Sequence, residues 1–368
     1  MPLVDIQNLT VTYGRKVALK NINLTINPDE YLVILGPTGA GKTTLLRTIT
    51  GLKKPKVGKI LIDGQEVTKT RPEERGMAYL PQTYSLFPYM NVKDNVLFSP
   101  KVRRSKTEEE MSVLAGEVLD MVGLRDRWDA YPMELSGGMM QRCALARAIA
   151  TDLKIFLLDE PLKALDARLR LQLRTELRKL VKDLGITCLH VTHDQEEALA
   201  LADRILILNE GQIVQHGDPK ILYQDPQTYF TADFLGESNS FTGEVIASDQ
   251  DRLQVKIDTN DKVLISRPLN TNNQDIIGKK VILTVKSEAT KVYPNSQSVA
   301  NENSNIFRGE VIHHYYLGKY TNLEIKVNEI SKSLLAKISS FEYEKYPLKS
   351  KVKLRIASSD LLSFLWRS

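Results

Sequence analysis

The amino-acid sequence predicts an α/β domain with a largely parallel sheet, followed by a smaller all-β domain. Over residues 1–235, short and continuously apolar runs alternate with helical patterns, which is typical of strands buried on both faces. After residue 235 the pattern changes to short alternating strands separated by Asn, Asp and Ser. A chain of 368 residues can form two domains, each with its own core. We therefore predict domains at residues 1–235 and 236–368.

The elements of the first domain follow from periodicity. Residues 3–26 alternate apolar and polar side chains on either side of Gly14, which predicts a β meander. The continuously apolar runs that predict buried strands lie at residues 31–35, 77–80, 155–158, 186–191 and 205–208. Helices are predicted at residues 105–122, after a Ser105/Glu108 capping pair, and at residues 166–184, before Gly185. In such a parallel sheet the ligand site lies at the carboxyl ends of the strands.

The second domain contains an internal repeat. FTGEVI at residues 241–246 returns as FRGEVI at 307–312, and LQVKI at 253–257 returns as LEIKV at 323–327. VILTVKS at 281–287 likewise matches VKLRIAS at 352–358. Two copies of one small β unit are therefore predicted, joined by an exposed loop at residues 295–305.

Composition excludes several classes of protein. The first twenty residues lack the layout of a signal peptide, and no apolar run approaches the length of about 18 residues that a membrane helix needs. The net charge of +5 arises from 50 basic and 45 acidic residues, which favours a solvated surface over nucleic-acid binding. Cys143 and Cys188 lie among apolar neighbours, and we interpret them as reduced core thiols.

A glycine-rich loop carries the clearest chemical signal. GPTGAGKT, at residues 36–43, follows the predicted strand at 31–35 and precedes a predicted helix at 42–49. Such a loop turns backbone N–H groups toward phosphate oxygens, while Lys42 reaches the β and γ phosphates and Thr43 offers a hydroxyl to Mg²⁺. The loop residues predicted to bind the nucleotide are Gly36, Pro37, Thr38, Gly39, Ala40, Gly41, Lys42, Thr43 and Thr44.

Two adjacent acids follow the apolar run IFLL. Asp159 and Glu160 emerge at the carboxyl end of that predicted strand, where an unpaired buried carboxylate would be costly. We expect Asp159 to hold Mg²⁺ and Glu160 to act as general base on the attacking water.

Further motifs in order along the chain identify a family. YLPQ stands at 79–82, LSGG at 135–138, LLDEP at 157–161, ALD at 164–166 and VTHD at 191–194. With the loop at residue 36, the sequence resembles the ABC ATPases over its whole length. The resemblance implies a P-loop NTPase domain with an antiparallel β-subdomain and a helical subdomain, then two OB-like repeats of the TOBE type.

The resemblance also implies roles for single residues. Ser136, Gly137 and Gly138 would contact the γ-phosphate held by a second nucleotide-binding subunit, most simply an identical chain, and Asp166 would lie near that interface. Gln82 resembles the glutamine that senses Mg²⁺ and the attacking water, and His193 the histidine that contacts the γ-phosphate. Tyr13 resembles the aromatic on which adenine stacks, although a strand-end tyrosine by itself also fits core or surface filler.

The sequence departs from the family pattern at several places. Met139 replaces a common glutamine, and Lys286-Ser287-Glu288 replaces a common Arg-Pro-Glu. Lys163 replaces the serine that usually precedes ALD. This lysine could pair with phosphate, disturb closure of the dimer, or extend to solvent, and the sequence leaves these alternatives open.

The doubled tail resembles that of importer ATPases for sugars, polyamines, ferric iron and oxyanions. We therefore expect a peripheral protein at the cytoplasmic face of the membrane. Its partners would be permease subunits, which residues 83–90 contact, and indirectly an extracytoplasmic solute-binding protein. The junction at residues 232–245 is most like the polyamine and ferric-iron types. A sugar, phosphonate, molybdate or sulfate importer, a soluble ABC ATPase, and a tail that senses an oxyanion or a regulatory protein remain the alternatives.

Overall fold

The computed structural model describes residues 3–83, 85–104, 106–151, 153–163, 165–249, 251–259, 262–269, 276–299, 303–330 and 332–366. The chain forms two compact units, Met1–Gln224 and Asp225–Ser368. The sequence predicted the boundary after residue 235, so the tail unit begins earlier than expected. The short helix at Tyr229–Phe234 belongs to the tail because Lys286 Nζ donates to the carbonyl oxygens of Ala232 and Leu235.

The first unit opens with the predicted meander. Its strands pair in antiparallel fashion in the order β2-β1-β4-β5. They are β1 (Val4–Tyr13), β2 (Lys16–Ile26), β4 (Val57–Ile62) and β5 (Gln65–Glu66). Gly14 makes the turn between β1 and β2 with φ +57°.

The central sheet of this unit has the order β10-β9-β3-β8-β7-β6, parallel except for the β9–β10 pair. Its strands are β3 (Tyr31–Leu35), β6 (Met77–Leu80), β7 (Ile155–Asp159), β8 (Thr187–Thr192), β9 (Arg204–Asn209) and β10 (Gln212–Gly217). All residues of β3, β7 and β8 are buried, as their apolar runs predicted.

Helices follow the strands of this sheet, and a further helix lies in the tail unit. They are α1 (Lys42–Ile49), α2 (Val92–Val96), α3 (Phe98–Arg103), α4 (Glu108–Met121), α5 (Gly137–Ile149), α6 (Ala167–Asp183), α7 (Gln195–Leu201), α8 (Pro219–Gln224) and, in the tail unit, α9 (Tyr229–Phe234). Helices α2 to α5 lie between β6 and β7 in the chain and form the helical subdomain.

One predicted helix start was wrong. Helix α4 is capped by Thr107 and Glu110, not by Ser105 and Glu108, and Ser105 lies outside the described residues. The amide of Thr107 donates to Glu110 Oε2, and the amide of Glu110 donates to Thr107 Oγ1, which forms a capping box.

The tail unit contains two sheets, of order β13-β12-β11-β14-β20 and β15-β19-β16-β17-β18. Their strands are β11 (Ser238–Ser248), β12 (Leu253–Ile257), β13 (Val263–Ser266), β14 (Lys280–Lys286), β15 (Lys291–Pro294), β16 (Ser304–Tyr316), β17 (Tyr320–Val327), β18 (Ser333–Ser339), β19 (Lys351–Ala357) and β20 (Leu362–Leu365). All pairings are antiparallel, and the predicted doubled all-β unit is confirmed.

The two copies use equivalent residues in equivalent ways. Gly243 pairs with Ile257 in one sheet, and Gly309 pairs with Val327 in the other. Phe241 and Phe307, at matching places in the repeat, stack with ring centroids 5.8 Å apart in the shared core of the tail. The copies also exchange their last strands, since β15 pairs with β19 of the second copy and β20 with β14 of the first.

The predicted loop at residues 295–305 ends earlier than expected, because β16 begins at Ser304. The side chain of Asn305 is buried and bridges to the backbone of Ile265 through both its oxygen and its nitrogen. A buried amide with these partners is part of the fold, not of an exposed loop.

Candidate active site

The glycine-rich loop connects β3 to α1, as its place in the sequence predicted. Gly36 is closely packed, since a Cβ on it would lie 2.1 Å from the carbonyl oxygen of Leu208 at the end of β9. Pro37 is half-buried and Ala40 is buried. The loop residues that line a cavity of about 680 Å³ are Thr38, Gly39, Gly41, Lys42, Thr43 and Thr44. We call this space the loop cavity.

Lys42 turns back onto its own loop. Its Nζ donates to the carbonyl oxygens of Gly36 at 2.7 Å and Pro37 at 2.9 Å. Burial lowers the pKa of Lys42, while the negative charges of Glu160 and Asp159 act in the opposite direction. An ammonium group has three protons, so one donor position is left for a ligand in the loop cavity.

Asp159 and Thr43 face each other across the site. Thr43 Oγ1 donates to Asp159 Oδ1 at 3.1 Å. The other carboxylate oxygen, Oδ2, is buried, and it has no hydrogen-bond partner among the described residues. Burial raises the pKa of Asp159, and the bond from Thr43 opposes that rise. A hydroxyl and a carboxylate oxygen in need of a partner fit a hard cation such as Mg²⁺.

Glu160 is surrounded by three donors. Gln82 Nε2 donates to Oε2 at 2.8 Å, Lys163 Nζ donates to the same oxygen at 2.6 Å, and His193 Nδ1 lies 3.1 Å from Oε1. Burial alone would raise the pKa of Glu160, but the bonds from Lys163 and His193 outweigh it and hold that pKa below its ordinary value. The carboxylate is therefore ionised at neutral pH.

Sheet topology explains why these side chains meet. The strands β3, β8, β7 and β6 are neighbours in that order. The glycine-rich loop, His193, Glu160 and Gln82 follow the carboxyl ends of these strands. Parallel neighbours bring their carboxyl ends to one edge of the sheet, so residues far apart in sequence converge there.

Tyr13 also lines the loop cavity, at the end of β1. Its side chain is 45% exposed, and Lys53 Nζ lies 4.1 Å above its ring centroid. The tyrosine is therefore a surface residue rather than a core residue, with a cation on its ring.

The remaining predicted residues lie elsewhere. Ser136 is exposed and caps α5, with its hydroxyl accepting from the amide of Met139, and Gly137 and Gly138 form the first turn of that helix. Asp166 is exposed and caps α6 by accepting from the amide of Leu169. None of these is among the described residues that line the loop cavity.

The structure gives Lys163 a partner that the sequence interpretation did not consider. Its ammonium group pairs with Glu160, and its side chain is 49% exposed while that of Glu160 is 13% exposed. The spacing of three residues allows this pair because the chain turns between Glu160 and Lys163, but the spacing alone does not predict it. Lys16 and Glu210 also line the loop cavity and were not predicted to do so.

Two further findings concern the cysteines and the helices. Both cysteines are free and buried, as predicted, and burial raises the pKa of the Cys143 thiol to about 12. In the part of the chain that the structure describes, no helix has the length and apolar character needed to cross a bilayer.

Comparison with known proteins places these features in a family. The family described as ABC transporter matches residues 19–163. The spermidine/putrescine import ATP-binding protein of Trichormus variabilis is 38% identical over 339 residues, which cover 91% of this chain and 87% of that protein. A Fe(3+) ions import ATP-binding protein of Rhizobium meliloti is 38% identical over 326 residues, covering 88% of this chain and 87% of that protein.

A solved structure is similar to part of this chain. It is the dimeric post-hydrolysis state of an ATP-binding cassette bound to ADP and Pi, with 33% sequence identity and a TM-score of 0.55. The match covers 59% of this chain and 98% of that cassette. Three findings indicate the same family: the chain has a P-loop, Asp159 and Glu160 lie at the carboxyl end of β7, and relatives match most of the chain. The chain therefore belongs to the ABC transporter family and is one of its ATP-hydrolysing subunits.

Proposed function

We propose that this chain powers the uptake of a solute by an ABC importer, with Glu160 as the general base of ATP hydrolysis. The observation that carries the proposal is that Lys42, Gln82 and Glu160 line the loop cavity together, with His193 against Glu160 Oε1. In this arrangement the loop amides and Lys42 bind the phosphates, and Tyr13 packs against the base of the nucleotide.

The chemistry assigned to each residue follows from its contacts. The lowered pKa keeps Glu160 unprotonated at neutral pH, so its carboxylate, which its neighbours hold in place, is available to accept a proton from water. His193, whose Nδ1 lies 3.1 Å from Glu160 Oε1, would orient the general base and contact the terminal phosphate. Thr43, Asp159 and Gln82 are the side chains that would hold Mg²⁺, which when bound neutralises phosphate charge.

The complete site is proposed to need a second chain. The loop cavity is open, and Ser136, Gly137 and Gly138 lie away from it at the start of α5. A two-fold pair of identical chains would let these residues of each chain cover the nucleotide of the other. The similar cassette, a dimer bound to ADP and Pi, supports this arrangement.

The solute class is proposed from the relatives. The import proteins at 38% identity are named for spermidine/putrescine and for Fe(3+), which favours a polyamine or ferric iron over sugars and oxyanions. Permease subunits and a solute-binding protein would then be the partners, with this chain peripheral at the cytoplasmic face of the membrane. Uptake of labelled spermidine and of labelled ferric iron by cells that lack this chain, compared with complemented cells, tests the assignment. If both uptakes persist without it, the solute proposal is wrong.

The experiment that tests the general base is Glu160→Gln in the full-length chain. We expect ATP hydrolysis to fall by about 100-fold or more, with ATP affinity within about twofold of the original, since a general base contributes rate and not ground-state binding. The matched control is Glu210→Gln, which removes another carboxylate from the lining of the same cavity and should keep normal turnover. A Glu160→Gln protein that hydrolyses ATP normally would refute the assignment.

A further inference from the structure

Lys163 stands on the turn that follows Glu160. Its amide lies 3.4 Å from the carbonyl oxygen of Glu160, and its Nζ reaches back to Glu160 Oε2 at 2.6 Å. This is a short, charge-assisted bond to a carboxylate that is itself mostly buried. The lysine also lines the loop cavity, so the pair lies where hydrolysis is proposed to occur.

The backbone that carries Lys163 is fixed on both sides. Arg170 Nη2, from α6, donates to the carbonyl oxygens of Lys163 at 3.4 Å and Leu165 at 2.9 Å. Asp166 then caps the same helix through the amide of Leu169. The ammonium group therefore extends from an anchored turn, which is the requirement for a residue that positions another.

The hydrogen bonds on Glu160 are distributed unequally between its two oxygens. Oε2 accepts from both Lys163 and Gln82, whereas Oε1 has His193 as its neighbour. Each carboxylate oxygen offers two acceptor positions, so Oε2 is filled while one position remains on Oε1. Water that gives up a proton to this carboxylate must approach the oxygen that is still free to accept.

We propose that Lys163 is a positioning residue which, together with Gln82, saturates Oε2 of Glu160 and so presents Oε1 as the oxygen that accepts the proton of the attacking water. The proposal rests on the proposed function of Glu160 as general base. It differs from the three alternatives that the sequence left open for this lysine, since the ammonium group acts on the general base and not on a phosphate, on dimer closure or on solvent. A serine at this place carries no charge with which to hold Oε2.

The test uses the full-length chain and compares Lys163→Met with Lys163→Arg. Loss of the ammonium group frees the carboxylate to rotate, and misplacement of a reacting group by about 1 Å costs up to about 100-fold in rate. We expect kcat of Lys163→Met to fall about tenfold with KM within about twofold. Lys163→Arg keeps a cationic donor and should restore kcat to within about threefold of the original.

ATP affinity measured without hydrolysis distinguishes a positioning role of Lys163 from a direct contact between Lys163 and phosphate. ATP affinity measured in EDTA should stay within about twofold in Lys163→Met, whereas loss of a phosphate contact would weaken it by about tenfold. Pairing itself is measured by the rate at which acetic anhydride modifies Lys163, followed by peptide mass spectrometry. That rate should rise in Glu160→Gln and stay unchanged in the control Glu210→Gln.

Several outcomes would overturn the proposal. An unchanged or increased kcat in Lys163→Met, or weaker ATP binding in EDTA, would show that the lysine does not position the general base. If Glu160→Gln is inactive while Lys163→Met is normal, the role of Lys163 fails and the general base stands. If Glu160→Gln is active, the proposed general base itself fails. In a Trp366→Phe background, emission of Trp128 during urea unfolding reports whether Lys163→Met is folded, and Lys163→Ser replaces it if it is not.

Discussion

Substitution of Gly36 by alanine tests how the glycine-rich loop is fitted to the sheet. The new Cβ would lie 2.1 Å from the carbonyl oxygen of Leu208 and 3.2 Å from its carbon. Carbon and oxygen atoms in contact are separated by more than about 3 Å, so one backbone segment must move by about 1 Å. Gly36 directly follows β3 and Leu208 lies in β9, and these strands are paired through Leu35 and Ile207, which are fully buried.

The size of the loss in stability depends on the kind of atom with which the new Cβ clashes. Overpacking a core costs about 1–3 kcal/mol, and a backbone carbonyl cannot rotate away as a side chain can. We therefore expect the free energy of unfolding of the first unit to fall by about 3 kcal/mol. The matched control is Gly39→Ala in the same loop, where φ is +83° and no atom lies within 4 Å of the added Cβ. It should lose about 1–2 kcal/mol, from backbone strain alone.

The assay must monitor the first unit separately, because two units need not unfold in one transition. The chain has two tryptophans, Trp128 in the first unit and Trp366 in the tail. In a Trp366→Phe background, Trp128 emission during urea unfolding reports on the first unit. If Gly36→Ala unfolds at the same urea concentration as Gly39→Ala, with the same slope, the steric reasoning is refuted.

Two further predictions concern assembly and pH. Chains carrying Lys42→Ala and chains carrying Ser136→Arg should each be inactive. Mixing them should restore hydrolysis, because a two-fold pair with one chain of each kind contains one site free of both changes, and no recovery would contradict the proposed composite site. Burial lowers the pKa of Lys286 to about 8 from 10.5, so between these values the unfolded chain holds a proton that the folded chain has lost. The free energy of unfolding of the tail should therefore rise by about 2 kcal/mol from about pH 7 to about pH 9.5. Urea unfolding followed by Trp366 emission in a Trp128→Phe background measures this rise. Lys286→Met should abolish it, and an equal rise in that variant would exclude Lys286 as its cause.

Much of the first unit could be predicted because its signals are local. Buried strands are short apolar runs, and the residues that follow them in a parallel sheet must lie at one edge. That reasoning identifies Asp159 and Glu160 from the sequence alone, since an acid directly after IFLL has only that edge to occupy. The sequence also contained Gln82 and His193, but only the strand order β8-β7-β6 brings both to Glu160.

Other features could not be predicted, because the local sequence pattern fits two alternative structures equally well. Ser105 and Thr107 each have a glutamate three residues later, so both fit a capping box. The exchange of β15 and β20 between the two tail sheets was not predicted, because an alternating strand pairs equally well with either sheet. The pairing of Lys163 with Glu160 needed the turn geometry, since spacing in sequence does not define the direction of a long side chain.

The backbone conformation of Glu160 explains why Asp159 and Glu160 have different hydrogen-bond partners. This residue has φ +52°, in the left-handed region that costs a residue with a Cβ about 1–2 kcal/mol. Its amide donates to the carbonyl oxygen of Val191, and its carbonyl oxygen accepts from Gln141 of α5, so the conformation is held by β8 and by the helix that begins at Gly137. Asp159, still in the strand, bonds to Thr43, whereas Glu160 bonds to Gln82, Lys163 and His193. The strained kink thus gives two adjacent carboxylates separate sets of partners, and two like charges in consecutive positions need such separation if both are to ionise in one site.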